Sequence, residues 1–220
     1  MAGSKKTSAA SAKNEKLNVA LDAGDDSVTA KAVNLFPTTI WMFSASAACQ
    51  KALPAMQKAV DKLYAKQSEG SEQRSARQGW RLDSPHELKE FGVLNQDIQR
   101  SLSIVCKQLR WEPTRRAFDS WLSVLPTGGH HVCHHHSPNL LSGVAYLDAI
   151  NAESGRLILR DPRPGRSMFS NTQLGPVDVP VEAEAGSILI FPAWLEHCVE
   201  TNNHGESRRA IAFNLGSQTR

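Results

Sequence analysis

One short stretch, Gly128–Pro138, holds five of the eight histidines in the 220-residue chain. If the stretch is extended, successive side chains point to opposite faces of the strand. His134 and His136 then share one face and can bind a single small ion, while His135 points to the other face. Neutral imidazole binds iron, zinc, copper and nickel, so this pair predicts a metal site without identifying the metal.

A metal bound on one face needs a third ligand from elsewhere in the chain. The best candidate is His197, which follows the run Phe191–Leu195. A solvated turn or an affinity tag would also explain a three-histidine run, but this run lies mid-chain between apolar segments, which disfavours a tag. Because ligating imidazoles must be neutral, metal affinity is expected to weaken as the pH falls through roughly 6.5.

A candidate anion-binding residue follows the third histidine. Arg208 opens the strand-like segment 208–214, and a planar guanidinium at the mouth of a barrel matches the fork of a carboxylate. The alternative is an ordinary surface arginine at a strand end. Arg209 is expected to point to the opposite face of the strand and to matter little for such binding.

The composition is that of an ordinary soluble protein, with 40% hydrophobic and 21% charged residues. A net charge of +3 is too small to indicate nucleic acid. Four scattered cysteines without a C-x-x-C pair argue against a disulfide framework and mildly favour a reducing compartment. The sequence has no apolar run long enough for a membrane span and no signal peptide, so the cytoplasm is the expected location.

The elements that must position these residues fall into three parts. Residues 1–30 are rich in Ser, Ala and Lys and predict a flexible tail, so that 31–220 form a single domain. Two stripes at helical spacing predict packing helices; they are Leu53, Met56, Val60, Leu63 and Tyr64, and then Leu94, Ile98, Leu102, Val105 and Leu109. Between them, Lys66–Arg77 is interpreted as a solvated loop. The segment Ser84–Glu87 has the form of a capping box, so His86 is interpreted as a helix-start residue and not a ligand.

Short strands bounded by Gly, Pro and Asn are predicted in the rest of the chain. One lies near the start of the ordered chain, at Val33–Phe43, and the others follow Pro113; these are Ala117–Leu125, Leu140–Ala149, Leu157–Arg160, Ser187–Phe191, Cys198–Thr201 and Ala210–Leu215. Helices followed by such strands indicate an α+β, mainly β fold in which N-terminal helices brace a jelly roll.

The chain resembles the 2-oxoglutarate- and iron(II)-dependent oxygenases of the double-stranded β-helix (jelly-roll, cupin-like) superfamily. The resemblance runs from about Val33 to Gly216 and rests on the order and spacing of several motifs. They are Gly79-Trp80, Trp121–Val124, Gly128-Gly129, His134-x-His136, Leu141–Leu147, Asp161-Pro162-Arg163, Gly186–His197, and Arg208 with Phe213-Asn214.

The resemblance implies that His134, His136 and His197 ligate Fe(II) and that Arg208 binds the distal carboxylate of 2-oxoglutarate. It places Tyr146 beside that carboxylate. Ser142 is a weaker candidate for lining the pocket. The implied activity hydroxylates an unactivated C–H bond of an unidentified small-molecule or peptide substrate, with O₂ consumed and 2-oxoglutarate decarboxylated to succinate. No nucleic-acid or membrane partner is implied, and a homodimer is left open.

Two departures from the family pattern keep alternatives open. Most of the superfamily has His-x-Asp/Glu where this chain has His134-x-His136, so the site lacks a charge-neutralising carboxylate. Many relatives have Ser where this chain has Ala210, which removes one hydroxyl contact to the cosubstrate. The rival hypotheses are a three-histidine cupin-type metalloenzyme that does not use 2-oxoglutarate, and a non-enzymatic metal- or ligand-binding jelly roll.

Several residues around the predicted site have two interpretations. Trp194 and the loop Asp161–Arg166 could border the substrate mouth. The nearby arginines would favour an anionic substrate, or are simply solvated; they are Arg156, Arg160, Arg163 and Arg166. Cys133 and Cys198 flank the ligands but should point away from the metal and are interpreted as packing residues. His130 and His131 could orient a ligand or face water.

Overall fold

The computed structural model describes residues 37–66, 76–111, 116–164 and 178–217. The elements below belong to one unit, Thr39–Arg220. The predicted tail at residues 1–30 lies outside the described residues, so its separation from a domain at 31–220 stays a prediction.

Two helices form where the apolar stripes predict them, α1 at Ala47–Ala65 and α2 at Gly92–Gln108. The Ser46 hydroxyl accepts a hydrogen bond from the Cys49 backbone N–H and so caps the start of α1. The Asp97 carboxylate of α2 accepts the Ser46 backbone N–H at 2.9 Å. This contact joins the start of α1 to the middle of α2.

The predicted capping box at Ser84–Glu87 is wrong. Ser84 has a φ of 54°, its side chain caps nothing, and Pro85–Glu87 form a 3-10 helix that precedes a second one at Lys89–Phe91. A left-handed backbone turns the Ser84 side chain away from the helix start. His86 Nδ1 lies 2.7 Å from the Ser120 hydroxyl, far from any metal ligand in sequence and structure.

The described strands form two antiparallel sheets. The large sheet has, in spatial order, β1 (Trp41–Phe43), β9 (Ile188–Pro192), β6 (Leu141–Tyr146), β11 (Arg208–Ser217), β4 (Arg116–Leu125) and β3 (Trp80–Asp83). The small sheet has β2 (Ala76–Arg77), β5 (His130–His134), β10 (His197–Val199), β7 (Leu157–Arg160) and β8 (Asp178–Val181).

Strand alternation divides the apolar residues of the large sheet between two cores. One face packs on α1 and α2, with side chains such as Leu122, Ile190 and Phe213. The other face meets the small sheet, where Tyr146 and Phe191 pack with Leu159. The predicted fold, a mainly β double-stranded β-helix braced by N-terminal helices, is confirmed.

The strands that the sequence did not predict are short. They are β2, β3 and β8, and a strand of two to four residues has no readable periodicity. The interpretation of Lys66–Arg77 as a loop is wrong at its end, because Ala76 and Arg77 pair with β5. Over the ranges that the structure describes, no helix has the length and apolarity needed to cross a membrane.

Arg209 lies on the face of β11 opposite to Arg208, as predicted. Its side chain forms ion pairs there and is mostly buried. Its guanidinium makes two hydrogen bonds to the Asp148 carboxylate, at 2.8 and 3.0 Å, and one to Asp61 of α1 at 2.8 Å. The side chain is only 15% exposed. The ion pairs therefore hold α1 and the segment after β6 against β11.

We expect Arg209→Ala to lower the free energy of unfolding by about 1–3 kcal/mol, because charge-assisted hydrogen bonds to partly buried carboxylates are lost. Urea denaturation would measure the change. The affinity for an anion at Arg208 should not change, since the two side chains occupy opposite faces. An unchanged unfolding midpoint would contradict the bracing role.

Candidate metal centre and adjoining pocket

The small sheet brings the three predicted histidine ligands together. His134 ends β5, His197 begins β10, and the two residues are paired directly across these strands. His136 lies just beyond β5, where its backbone N–H donates to the Ala193 carbonyl at 2.8 Å. One ring nitrogen from each histidine lies within 4.8 Å of the other two. His135 is exposed and lies outside this cluster.

Backbone carbonyls fix the tautomers of two of these histidines. His134 Nδ1 lies 2.7 Å from the Val132 carbonyl, and His197 Nδ1 lies 2.8 Å from the Leu195 carbonyl. A carbonyl can only accept, so each Nδ1 carries the proton and each Nε2 keeps its lone pair for a metal. A ligating histidine is typically oriented in this way by a bond from its other nitrogen.

Burial keeps the cluster neutral. It lowers the pKa of His197 to about 3 and that of His136 to about 4, and repulsion from the neighbouring histidines adds to the effect. Burial also lowers the pKa of His134, although its bond to the Val132 carbonyl opposes the shift. His136 and His197 are therefore in their ligating form well below neutral pH, and burial favours the same form of His134.

These pKa values correct the pH dependence expected from the sequence. A lowered pKa means that protons compete with a metal only at a lower pH, so the loss of iron affinity is expected below pH 6.5 and not centred on it. Below about pH 4 it should fall steeply. Anaerobic calorimetric titration of Fe(II), with circular dichroism at each pH to verify the fold, measures this. A loss of affinity centred near 6.5 would show that the ligands are exposed.

A β-bulge turns His131 toward the same interior. His197 pairs with His134 but Val199 pairs with His131, so β5 has one more residue than β10 between the two pairs. His131 and His134 therefore both point inward although three positions separate them, and their ring centroids lie 6.0 Å apart. His131 is buried, and strand alternation alone could not assign it to this face.

Arg208 and Tyr146 lie together beside the histidines. Arg208 is 3% exposed, and its Nε donates to the Gly155 carbonyl at 3.0 Å. Its guanidinium lies 5.5 Å from the centre of the Tyr146 ring. Among residues with described positions, no carboxylate forms an ion pair with Arg208, and the buried Tyr146 hydroxyl has no hydrogen-bond partner. Burial raises the pKa of Tyr146 to about 12, so its hydroxyl is a proton donor.

Ser142 is buried and lines the same cleft, but its hydroxyl is already engaged. It donates to the Asn214 side-chain carbonyl at 2.7 Å, and the Asn214 amide donates to Asp119 at 3.2 Å. This relay fixes the Ser142 hydroxyl toward Asn214. A direct contact from Ser142 to a ligand would have to replace or share this bond.

The cleft between the sheets has a volume of about 80 Å³ and opens to solvent. The three histidines and Arg208 line it together with apolar side chains such as Phe191 and Leu157. The sequence did not single out two polar lining residues, Arg81 and Ser123, and it left open whether His131 orients a ligand or faces water. For Ser123 the signal was available, since alternation along β4 places it on the same face as Trp121 and Leu125.

The predicted basic edge is neutralised. Arg156 bonds to Glu200, Arg160 bonds to Asp178, and Arg163 pairs with Asp161. The structure thus gives these three arginines no surplus charge for an anionic substrate, while Arg166 lies outside the described residues. Trp194, also predicted at the mouth, is half exposed and is not among the described residues that line the cleft.

Cys133 and Cys198 point away from the metal centre, as predicted. They lie on neighbouring strands, and Cys133 is exposed whereas Cys198 is half-buried. Arg160 Nη1 lies 3.6 Å from the Cys133 sulfur. The interpretation of Cys133 as a packing residue is wrong, because the bulge leaves both Val132 and Cys133 on the outer surface.

The two sheets form a jelly roll in which three histidines converge closely enough to hold a metal ion on one face. Residues 119–214 match the family described as "Putative 2OG-Fe(II) oxygenase". The matched segment contains the three histidines, Tyr146 and Arg208, and over it the chain is similar to the non-haem Fe(II)- and 2-oxoglutarate-dependent oxygenases. None of the curated proteins matches the chain in sequence.

Solved structures of low sequence identity share the fold. A prolyl-4-hydroxylase from Pseudomonas putida is 13% identical, with a TM-score of 0.61 over 83% of this chain and 94% of that chain. HygX from Streptomyces hygroscopicus, solved with nickel and 2-oxoglutarate, is 13% identical, with a TM-score of 0.59 over 82% and 84%. The carbocyclase SnoK from nogalamycin biosynthesis is 14% identical, with a TM-score of 0.58 over 82% and 80%.

Proposed function

We propose that His134, His136 and His197 hold the Fe(II) of this oxygenase on one face. The observation that carries the proposal is the convergence of three neutral imidazoles, two of which have Nε2 set as the ligating atom by backbone carbonyls. A facial triad leaves open positions for a bidentate cosubstrate and O₂. Iron bound there with 2-oxoglutarate supplies the activation of O₂ for oxidation of a substrate C–H bond.

Arg208 and Tyr146 are proposed to bind the distal carboxylate of 2-oxoglutarate. A buried guanidinium requires a compensating anion, and the described residues provide no carboxylate partner. The unsatisfied Tyr146 hydroxyl is a second donor in the same place. One carboxylate can compensate the Arg208 charge and satisfy the Tyr146 hydroxyl. It would accept two parallel hydrogen bonds from Arg208 and one from Tyr146. Ser142 remains the weaker candidate because its hydroxyl serves Asn214.

The two negative charges of 2-oxoglutarate would also compensate the positive charge of a metal that is bound only by neutral histidines. Neutral imidazoles leave the charge of Fe(II) uncompensated, whereas a ligating carboxylate would offset it in part. The buried charge of Arg208 adds to the positive potential of the cleft. A ligand with two carboxylates offsets both charges, one at each end. HygX, which has a similar fold, was solved with nickel and 2-oxoglutarate bound, and this supports the pairing.

Two aromatic residues that line the cleft pack against the proposed histidine ligands. Phe191 packs edge-on against the His197 ring with centroids 4.9 Å apart, and Trp121 lies 5.5 Å from His136. These aromatic contacts restrict the ligand rings and exclude water from their outer sides. The Arg81 guanidinium lies 4.5 Å from the centre of the Trp121 ring and also lines the cleft.

The proposed outcome is hydroxylation of a small-molecule or peptide substrate. Similarly folded proteins include a prolyl-4-hydroxylase, a carbocyclase and an epimerase, so the fold alone does not determine the reaction outcome. We also propose a cytoplasmic location, on the basis of four free cysteines within the chain. No nucleic-acid partner is proposed, and a homodimer stays a hypothesis.

The experiment that tests the function is a screen for substrate-stimulated formation of succinate from 2-oxoglutarate, with iron and ascorbate present. We expect slow background turnover and a stimulation of at least about tenfold by a true substrate, because a positioned substrate couples decarboxylation to oxidation. Binding of iron without any binding of 2-oxoglutarate would favour the cupin-type rival. Zinc retained through purification without added metal, with no turnover, would favour the non-enzymatic one.

A further inference from the structure

The sheet register places a second hydroxyl beside the proposed carboxylate site. Ala210 on β11 is paired with Tyr146 on β6 on one side and with Ser123 on β4 on the other. Directly paired residues point to the same face, with Cβ atoms about 4.5–5.5 Å apart. The methyl group of Ala210 therefore forms the floor of a space with the Tyr146 and Ser123 side chains as its two walls.

Arg208 closes a third side of this space. It lies two residues before Ala210 on the same strand, so it points to the same face one step away. Arg208 and Ser123 are both buried and both line the cleft. Three hydrogen-bond donors therefore surround the space next to the Ala210 methyl group. They are the Arg208 guanidinium, the Tyr146 hydroxyl and the Ser123 hydroxyl.

His131 reaches the same point from the opposite sheet. Its Nε2 lies 3.3 Å from the Ser123 hydroxyl oxygen. The bulge in β5 is what brings this ring inward, next to His134. If Nε2 carries the proton, His131 donates to Ser123, and the single Ser123 proton is then directed elsewhere.

We propose that Ser123 is a third residue that binds the distal carboxylate of 2-oxoglutarate, with His131 as its positioning residue. The inference rests on the proposed function and adds a residue to it. His131 Nε2–H donates to Ser123 Oγ, and Ser123 O–H donates to a carboxylate oxygen. The hydroxyl that Ala210 cannot provide is thereby supplied from the neighbouring strand.

Anaerobic titration calorimetry of Fe(II)-loaded protein tests the proposal with two ligands. One is 2-oxoglutarate, and the other is 2-oxovalerate, which has the same metal-binding end but no distal carboxylate. We expect Ser123→Ala to weaken 2-oxoglutarate by at least about tenfold, as for the loss of a hydrogen bond to a charged group. It should change 2-oxovalerate by less than about twofold.

Two further variants sharpen the test. Ser120→Ala is the matched control, because Ser120 is a buried, histidine-bonded serine on the other face of β4; its 2-oxoglutarate affinity should equal that of the unmodified protein. Ala210→Ser placed in the Ser123→Ala protein should restore most of the lost affinity, since it returns a hydroxyl to the same space from the adjacent strand.

His131→Phe examines the positioning role. It should raise the KM for 2-oxoglutarate several-fold while kcat at saturation and iron content stay near normal. His131→Gln, which keeps an N–H donor, should recover part of that loss. A fall in iron content or in kcat without a change in KM would assign His131 to the metal centre and overturn its positioning role.

The outcomes separate this inference from the proposed function. If 2-oxoglutarate does not bind the unmodified protein, the proposed function fails. If it binds the unmodified and Ser123→Ala proteins equally, only the role of Ser123 fails. Equal weakening of 2-oxoglutarate and 2-oxovalerate would also overturn it, because the effect would not then pass through the distal carboxylate.

Discussion

Replacing His134, His136 or His197 with alanine is expected to abolish iron binding and turnover, whereas His135→Ala should keep both. Each of the three contributes one nitrogen to a cluster in which all three lie within 4.8 Å of one another. Loss of an outer partner of a ligand already costs about 10–100-fold in metal affinity, so loss of a ligand itself should cost more. Iron content after anaerobic reconstitution, with succinate formation, measures the effect.

His135→Ala is the matched control because it removes an imidazole from the same run without touching the cluster. Its ring is exposed, and its Nδ1 accepts only the Ser137 backbone N–H, at 3.3 Å. Truncation of exposed His135 should leave the free energy of unfolding within about 0.5 kcal/mol. Loss of iron in His135→Ala, together with normal iron in His136→Ala, would overturn the proposed facing of this segment.

Arg208→Ala is expected to weaken 2-oxoglutarate binding by at least tenfold and up to several hundredfold, with iron content near normal. The lower value corresponds to a charge-assisted hydrogen bond of about 1.5–3 kcal/mol. The upper value follows if the carboxylate stays buried without its partner, which costs about 3–5 kcal/mol. Titration of 2-oxoglutarate into anaerobic, iron-loaded protein, followed by the metal-to-ligand charge-transfer band, measures the affinity.

Graded variants separate charge from geometry at Arg208. Arg208→Lys should recover only part of the affinity, because an ammonium keeps the charge and loses the fork. Tyr146→Phe should cost less than Arg208→Ala, since it removes one donor whose hydroxyl is otherwise unpaired among described residues. Normal band formation in Arg208→Ala would reject this assignment. No band in the unmodified protein would instead favour a cupin that does not use 2-oxoglutarate.

Much of the scaffold could be predicted from the sequence. The two apolar stripes at helical spacing predicted α1 and α2, because the buried apolar residues of a helix recur with the helical period. The strand-rich second half and its Gly, Pro and Asn boundaries predicted the jelly roll. Of the site, the sequence singled out His134, His136, His197, Arg208 and Tyr146, and the structure brings all five to one cleft or its wall.

Tertiary structure alone decided the details on which chemistry depends. The pKa values of the histidines follow from burial, which no spacing encodes. His131 points inward because of a bulge, and a bulge depends on how two strands pair. The arginines near β7 looked like a basic edge, but carboxylates distant in sequence neutralise them. Ser123 faces Tyr146 across Ala210 through the register of three strands, a relation that exists only once the sheet is assembled.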